Sequence, residues 1–217
     1  FETKIPVLGV VWDGTGLGDD GMIWGGEFFV YQNYQMVRKA HFDYFHLLAG
    51  DKMAKEPRLS LFSLVDSENI VEDKFSKGEF KIYRKLKENS TLKTSSVGRL
   101  FDAVASLLKL SDVSTYEGEA ALLLENLAWQ HSGEYNDLLE VQSFENVPSK
   151  IILKRICTLK NQGKTKANLA ASFIRTLARV VVNMAKTIGL STIACSGGVF
   201  QNRFLVQALQ GMALEND

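Results

Sequence analysis

The sequence predicts a mixed α/β fold. A strand-like run, Val7-Leu8-Gly9-Val10-Val11-Trp12, is followed across a glycine-dense turn by a second run from Met22 to Tyr31, rich in aromatic and β-branched types. Far along the chain, a long helical stripe ends at Gly189 and leads into a short apolar run, Thr192-Ile193-Ala194-Cys195, then Ser196-Gly197-Gly198 and a further helix. Hairpin, helices, strand, glycine turn and helix in that order exclude an all-helical bundle.

The opening turn, VVWDGTGLGDDGMIWGGEFF, holds six glycines and four acids within fifteen positions, and Gly16, Gly18 and Gly21 spell GxGxxG. A dinucleotide loop needs a helix after it, so that a pyrophosphate meets free N–H groups. A strand follows here instead, and Asp19 and Asp20 carry negative charge where a phosphate would sit. The segment reads as a hairpin turn with both aspartates facing solvent. Tyr34 to Tyr44 offers a third strand around Met36-Val37, and Leu47 to Val65 reads as helical with Pro57 as a break or start. Asp66 to Ser96 is the most polar stretch, with seven basic residues between Lys74 and Lys93; it reads as a solvated helix face with a connecting loop, or as a docking surface for an acidic partner. Thr94 to Gly98 is a small-residue loop entering a helix from Arg99 to Leu108, on which Leu100, Val104, Leu107 and Leu108 share a face. A second helix spans about Glu119 to Gln130. The longest covers about Thr165 to Ile188, with Leu169, Phe173, Leu177, Val181, Met184 and Ile188 in one stripe and Gly189 at its end. Thr192 to Cys195 reads as a buried strand, and the last helix begins near Asn202.

Composition narrows the function classes. Lys and Arg number 25 and Asp and Glu number 25, so no global field favours nucleic acid or an anionic membrane. No apolar run approaches the ~18 residues of a transmembrane helix, and no signal peptide is visible. Cys157 and Cys195 form no CxxC, which fits reduced thiols in a cytoplasmic protein. The first residue is Phe1, as in a piece cut from a longer protein.

Three glycine-bearing turns carry the candidate chemistry: Asp13-Gly14-Thr15-Gly16, Ser95-Ser96-Val97-Gly98 and Ser196-Gly197-Gly198-Val199. Glycine lets backbone N–H groups approach a ligand, and a helix start favours an anion, so together the turns point to a cradle for a nucleotide or acyl phosphate. Asp13 ends a strand expected to be buried, where its carboxylate needs N–H donors or a hard cation. Glu27 fits a salt bridge or turn cap. Asp102 fits a helix-start acid or a contact to ribose hydroxyls. His41, His46 and His131 lack metal-ligand spacing and read as structural, and Cys195 reads as a buried, inert thiol.

Five stretches, DGTGLGDDGMIWGGEF, AGDKMAKEPR, TSSVGRLFDAVASLL, YEGEAALLLE and CSGGVFQNRFL, resemble the carboxy-terminal, Kae1-like region of the hydrogenase-maturation carbamoyltransferases, the HypF family. The resemblance runs from about residue 7 to residue 210. It implies part of an actin-like ATPase or sugar-kinase fold, with residues 1–65 ending a first lobe and 66–217 forming most of a helix-rich second lobe. It also implies transfer of a carbamoyl group from carbamoyl-adenylate, made from carbamoyl phosphate and ATP, to the terminal cysteine of a partner maturation protein. That group becomes the cyanide ligand of the nickel–iron centre.

By the same resemblance, Asp13 helps hold a divalent metal (zinc, iron or magnesium), and Gly14, Thr15 and Gly16 form the first substrate loop. Gly98 and Asp102 meet the nucleotide, Asp102 at the ribose; Gly118 is a further substrate glycine. Gly197, Gly198 and Asn202 form the last loop, with Asn202 on the adenylate. The family's paired metal-binding histidines and a late aspartate have no counterpart here, Ala49 replaces a frequent glycine, and Ile174 replaces a frequent histidine. The isolated chain is therefore expected to bind metal weakly and not to turn over. The alternatives are a relative acting on a small-molecule hydroxyl or on tRNA adenosine, or a partner-docking module without catalysis.

Overall fold

The computed structural model describes residues 5–140 and 146–214. Strand β1 (Val7–Trp12) alternates, burying Leu8, Val10 and Trp12 completely. It pairs antiparallel with β2 (Gly26–Gln32), Val10 opposite Phe28 and Trp12 opposite Gly26. A further antiparallel strand, β3 (Gln35–Phe42), pairs with β2 through an irregularity at Phe28/Phe29. A short pair, β4 (Phe45–His46) and β5 (Lys93–Thr94), forms a separate ribbon. Two parallel additions complete the main sheet: β6 (Asn146–Val147) on β3 and β7 (Ile193–Ser196) on β1. The order is β6-β3-β2-β1-β7, a mixed sheet as the sequence predicts.

The helices join the sheet in one hydrophobic cluster, which includes Leu8, Trp12, Phe28 and Phe42 of the sheet. Helices α1 (Lys52–Lys55) and α2 (Pro57–Leu64) are separated at Pro57, the first residue of α2, where its missing N–H costs nothing. Helix α3 (Lys77–Asn89) opens on a capping box between Ser76 and Glu79, and of its residues only Tyr83 is buried, so its face is largely solvated. In the same basic segment, however, Lys74 donates to Ser106 O and Asp112, and Lys87 to Phe62 O and Val65 O. Helix α4 (Val97–Leu107) is buried along most of its length. Helix α5 (Glu119–Ala128) starts at Gly118, whose φ of +80° suits glycine. Helix α7 (Lys166–Ile188) is capped by Thr165, which accepts from Asn168 N at 3.2 Å, and is ended by Gly189. Its expected stripe is buried except at Ile188, which is partly buried, and Ala170, Ile174 and Val180 are buried as well, because three other helices pack around it. Ile174 is thus a core residue. Helix α8 (Arg203–Leu214) closes the chain.

Several expectations need correction. Helix α6 (Ser149–Asn161) lies where the sequence reading placed no element. Its signal was present: Pro148 precedes it, and Ile152, Leu153, Ile156 and Leu159 recur at helical spacing and are buried. Strand β7 is not buried: it is an edge strand with one neighbour, so Ala194, Cys195 and Ser196 are exposed. Cys195 is exposed accordingly, yet desolvation pushes its thiol up to about 11, so it stays protonated as expected of an inert thiol. Asp20 does not simply face solvent. It accepts hydrogen bonds from Tyr44 Oη at 2.6 Å, Trp24 Nε1 at 2.9 Å and Met22 N at 3.0 Å. Partial burial opposes its ionisation, yet those bonds and the nearby Arg38 guanidinium hold its pKa down to about 2. The indole of Trp24 lies on Gly18, where a Cβ would meet Nε1 at 2.1 Å, so this glycine of the apparent GxGxxG makes room for a ring. Ala49 sits at φ 57° just before Gly50 at φ 55°, a left-handed conformation that favours glycine over alanine.

The edge-to-face contact of Phe173 with Phe101, with ring centroids 5.0 Å apart, joins α7 to α4 at the centre of the core. Phe173→Ala should cost about 3–5 kcal/mol of stability, measured as a lower midpoint in urea unfolding with little change in slope.

Candidate functional site

The site is built around the Gly25-Gly26-Glu27 entry into β2. A Cβ on Gly25 would lie 2.5 Å from the carbonyl oxygen of Asp13, and one on Gly26 would lie 2.3 Å from that of Ser95. Only bare backbone fits between the two loops. Gly25 O accepts from both Asp13 N and Val97 N at 3.0 Å, and Asp13 O accepts from Ser96 Oγ at 2.7 Å and Gly98 N at 3.3 Å. Glu27 is 2 % exposed. Its carboxylate accepts from Ser95 Oγ, from Gly26 N at 3.3 Å and from Arg38 Nε at 2.5 Å. The salt-bridge role expected of Glu27 is therefore its role here, extended to pinning the loop before α4.

The third loop reaches the same place from β7. Gly197 has φ +102°, and a Cβ there would lie 2.1 Å from Trp12 O, so the backbone runs directly over the end of β1. The ring of Trp12 stacks on Phe200 at 5.3 Å, fixing the short 3-10 turn Gly198–Gln201 beside it. Between these loops, α4 and α5 opens a cleft of about 730 Å³ lined by residues that include Asp13, Gly14, Gly98, Arg99, Asp102, Gly118, Glu125, Gly198 and Asn202.

Of the residues singled out from sequence, Asp13, Gly14, Gly98, Asp102, Gly118, Gly198 and Asn202 line this one cleft. Thr15, Gly16 and Gly197 do not: Gly16 packs toward Trp24 O, and Gly197 backs onto Trp12. Asp13 is exposed, so the burial that was expected to demand a cation is absent, and its Oδ1 accepts from Gly14 N at 2.7 Å. No group of three or more His, Cys, Asp or Glu that could hold a metal occurs among the described residues. These residues alone do not fit a metal site. A nitrogen of each histidine ring lies near a backbone carbonyl: His41 at Phe42, His46 at Ser90 and His131 at Glu134.

The loop amides also differ from the expected anion cradle. Val97 N, Gly98 N, Arg99 N and Leu100 N at the start of α4 go to Gly25 O, Asp13 O, Ser96 Oγ and Ser96 O. The unpaired polarity lies in side chains instead. Asp102 is 6 % exposed and Asn202 equally so; Asp102 Oδ2 and Asn202 Nδ2 are buried without a hydrogen-bond partner, although Asn202 Oδ1 caps α8 by accepting from Leu205 N at 2.9 Å. Burial pushes the Asp102 carboxyl up to about 7, against the pull of Arg99. Arg99 Nη1 stands 2.8 Å from Asp102 Oδ2, yet the two are not aligned for a hydrogen bond, and Arg99 Nε is also unpaired. Arg99 went unnoticed in the sequence because one arginine in a helix start carries no signal of what it will face.

Comparison with known proteins places this cleft in context. A family model described as "Carbamoyltransferase, Kae1-like Domain, second subdomain" matches residues 9–217. The chain is 34% identical over 227 residues to carbamoyltransferase HypF of Synechocystis sp., covering 92% of this chain and 29% of that protein. It is 29% identical to a probable carbamoyltransferase HypF of Methanocaldococcus jannaschii, covering 93% of this chain and 28% of that one. A crystal structure of full-length HypF in the phosphate- and nucleotide-bound form superposes with a TM-score of 0.88 at 29% identity, over 99% of this chain and 36% of that one. The chain thus spans under a third of the length of these two relatives.

Two outcomes test the electrostatics. Glu27→Ala leaves Arg38 facing a buried gap and should cost about 3–5 kcal/mol in urea unfolding. Asp102 has a pKa near 7 in the folded chain, above its unfolded value of 3.8, so the folded state holds this proton more tightly. Its stabilising contribution is complete below the unfolded value and is lost as pH rises toward 7. Asp102→Asn removes that dependence, so the variant should gain stability relative to the parent as pH climbs from about 4 to about 7, read as the difference between their unfolding curves.

Proposed function

The chain belongs to the HypF carbamoyltransferase family, and from that premise we propose that its cleft binds carbamoyl-adenylate during transfer of the carbamoyl group to the terminal cysteine of a partner maturation protein. The observation that carries this reading is a pair of buried atoms that make no hydrogen bond, Asp102 Oδ2 and Asn202 Nδ2, on two residues that line one cleft. An orphaned carboxylate oxygen matches a hydroxyl donor such as those of a ribose, and an orphaned amide N–H matches an acceptor on the base or phosphate. Leaving either unpaired costs free energy that a nucleotide recovers. The family resemblance supplies the reaction; carbamoyl phosphate and ATP are the source of the adenylate in the whole enzyme.

Within this chain the residues position rather than react. Gly14 lines the cleft beside Asp13 while Thr15 and Gly16 continue that loop outside the lining, Gly98 brings α4 against it, and Gly197 and Gly198 carry the backbone past the end of β1 toward Asn202. Gly118 opens α5 at the far wall. The attacking thiol comes from the partner, and the cleft holds the adenylate in line for it. Asp13 contributes one carboxylate toward a divalent ion whose other ligands lie outside the described residues. The division into the end of a first lobe (1–65) and a second lobe (66–217), and a cytoplasmic setting, belong to the same reading; no described helix is long and apolar enough to cross a membrane.

Titration with AMP, followed by backbone amide NMR, tests the reading. Shifts at Gly98, Asp102, Gly198 and Asn202 with saturation support it. Unchanged spectra together with tight binding of a partner protein would replace it with a docking module. The chain alone, given carbamoyl phosphate and ATP, should release no AMP above background; robust release would show that the further length of the relatives is dispensable for it.

A further inference from the structure

We infer that Arg99 is the phosphate anchor of this cleft, selecting nucleotides over nucleosides by gripping the anionic phosphate beside Asp102. The inference rests on the nucleotide reading above and adds to it a residue that carries charge recognition. An anion entering here meets a carboxylate-rich wall, since Asp13, Asp102, Glu117 and Glu125 all line the cleft. Among the lining residues Arg99 is the single lysine or arginine. At the start of α4 the usual alternative, free N–H groups, is closed: its first four amides already donate to Gly25, Asp13 and Ser96. The Gly14 amide is spent on Asp13 Oδ1. The guanidinium is therefore the cationic side chain that an anion meets in this lining.

Its geometry is suited to that task. Arg99 lies in the first turn of α4, three residues before Asp102, so both side chains share a face. A Cβ on Gly14 would stand 3.3 Å from Nη2, which places the guanidinium between the first loop and the acid expected at the ribose. Nε and Nη1 are buried and make no hydrogen bond, and the contact to Asp102 Oδ2 at 2.8 Å is misaligned. A guanidinium held this way is short of acceptors at Nε and Nη1, and a phosphate reaching it offers the matching pair of oxygens that Asp102 does not. Seated there, the phosphate frees the Asp102 carboxylate for hydroxyl donors.

Calorimetric titration of the chain with AMP and with adenosine separates the possibilities, because the ratio of the two dissociation constants isolates the phosphate. The parent should bind AMP more tightly than adenosine by about 10-fold or more. In Arg99→Gln the ratio should collapse toward one, while adenosine weakens by less than about 3-fold. Arg99→Lys, which keeps the charge without the fork and preserves the neutralisation of Asp102, should retain part of the ratio; it decides the matter if the glutamine variant fails to fold. If both ligands weaken equally and the ratio persists, Arg99 only neutralises Asp102 and the inference is overturned. If the parent binds neither ligand, the nucleotide reading itself fails, and this inference with it.

Discussion

The buried carboxylate of Glu27 is the interaction on which the site depends. A charge this deep is tolerated because its oxygens are met by Ser95, Gly26 and Arg38 together. Each partner belongs to a different element: the loop before α4, the start of β2, and β3. Arg38 then extends the network outward, stacking over Trp24 at 4.1 Å and donating to Tyr44 Oη at 2.8 Å. The outer turn and the inner loops are thereby one electrostatic unit. Satisfying Glu27 requires the Gly25-Gly26 backbone to lie against the Asp13 and Ser95 carbonyls, and that close approach positions the cleft mouth.

A consequence of this construction is that the glycine loops bind one another. Their amides and carbonyls form the joint between β1, β2 and α4, so they define the wall of the cleft more than its ligand contacts. Polar capacity is left to Asp102, Arg99 and Asn202, which are buried but incompletely paired. Such groups are costly in the empty protein and explain why the Asp102 carboxyl is pushed toward neutrality. A site assembled this way exchanges stability for readiness to bind.

Much of the fold was legible from local pattern. Alternation in β1 and the apolar stripe of α7 each report a buried face directly, because side-chain direction follows the period of the element. The meeting of the motif loops was also legible, since seven of the ten residues chosen from sequence, four of them glycines, line one cleft. Helix α6 was legible but passed over, as its apolar positions sit among lysines in a stretch that reads as polar.

By itself, the sequence determined the mixed α/β class, the hairpin at the start, the longest helix with its closing glycine, and the family to which the chain belongs. These follow from near-neighbour sterics, periodicity and motifs that are local in the chain. Only the tertiary structure decided that β7 is an exposed edge, that Asp13 is exposed, that Asp20 is clamped, and that Arg99 is the cation of the cleft. Each of those facts depends on which distant segment lies alongside: β7 next to β1, Tyr44 over Asp20, Gly14 beside Arg99. Burial and hydrogen-bond partnership are properties of such pairings, and a local window of residues does not contain them.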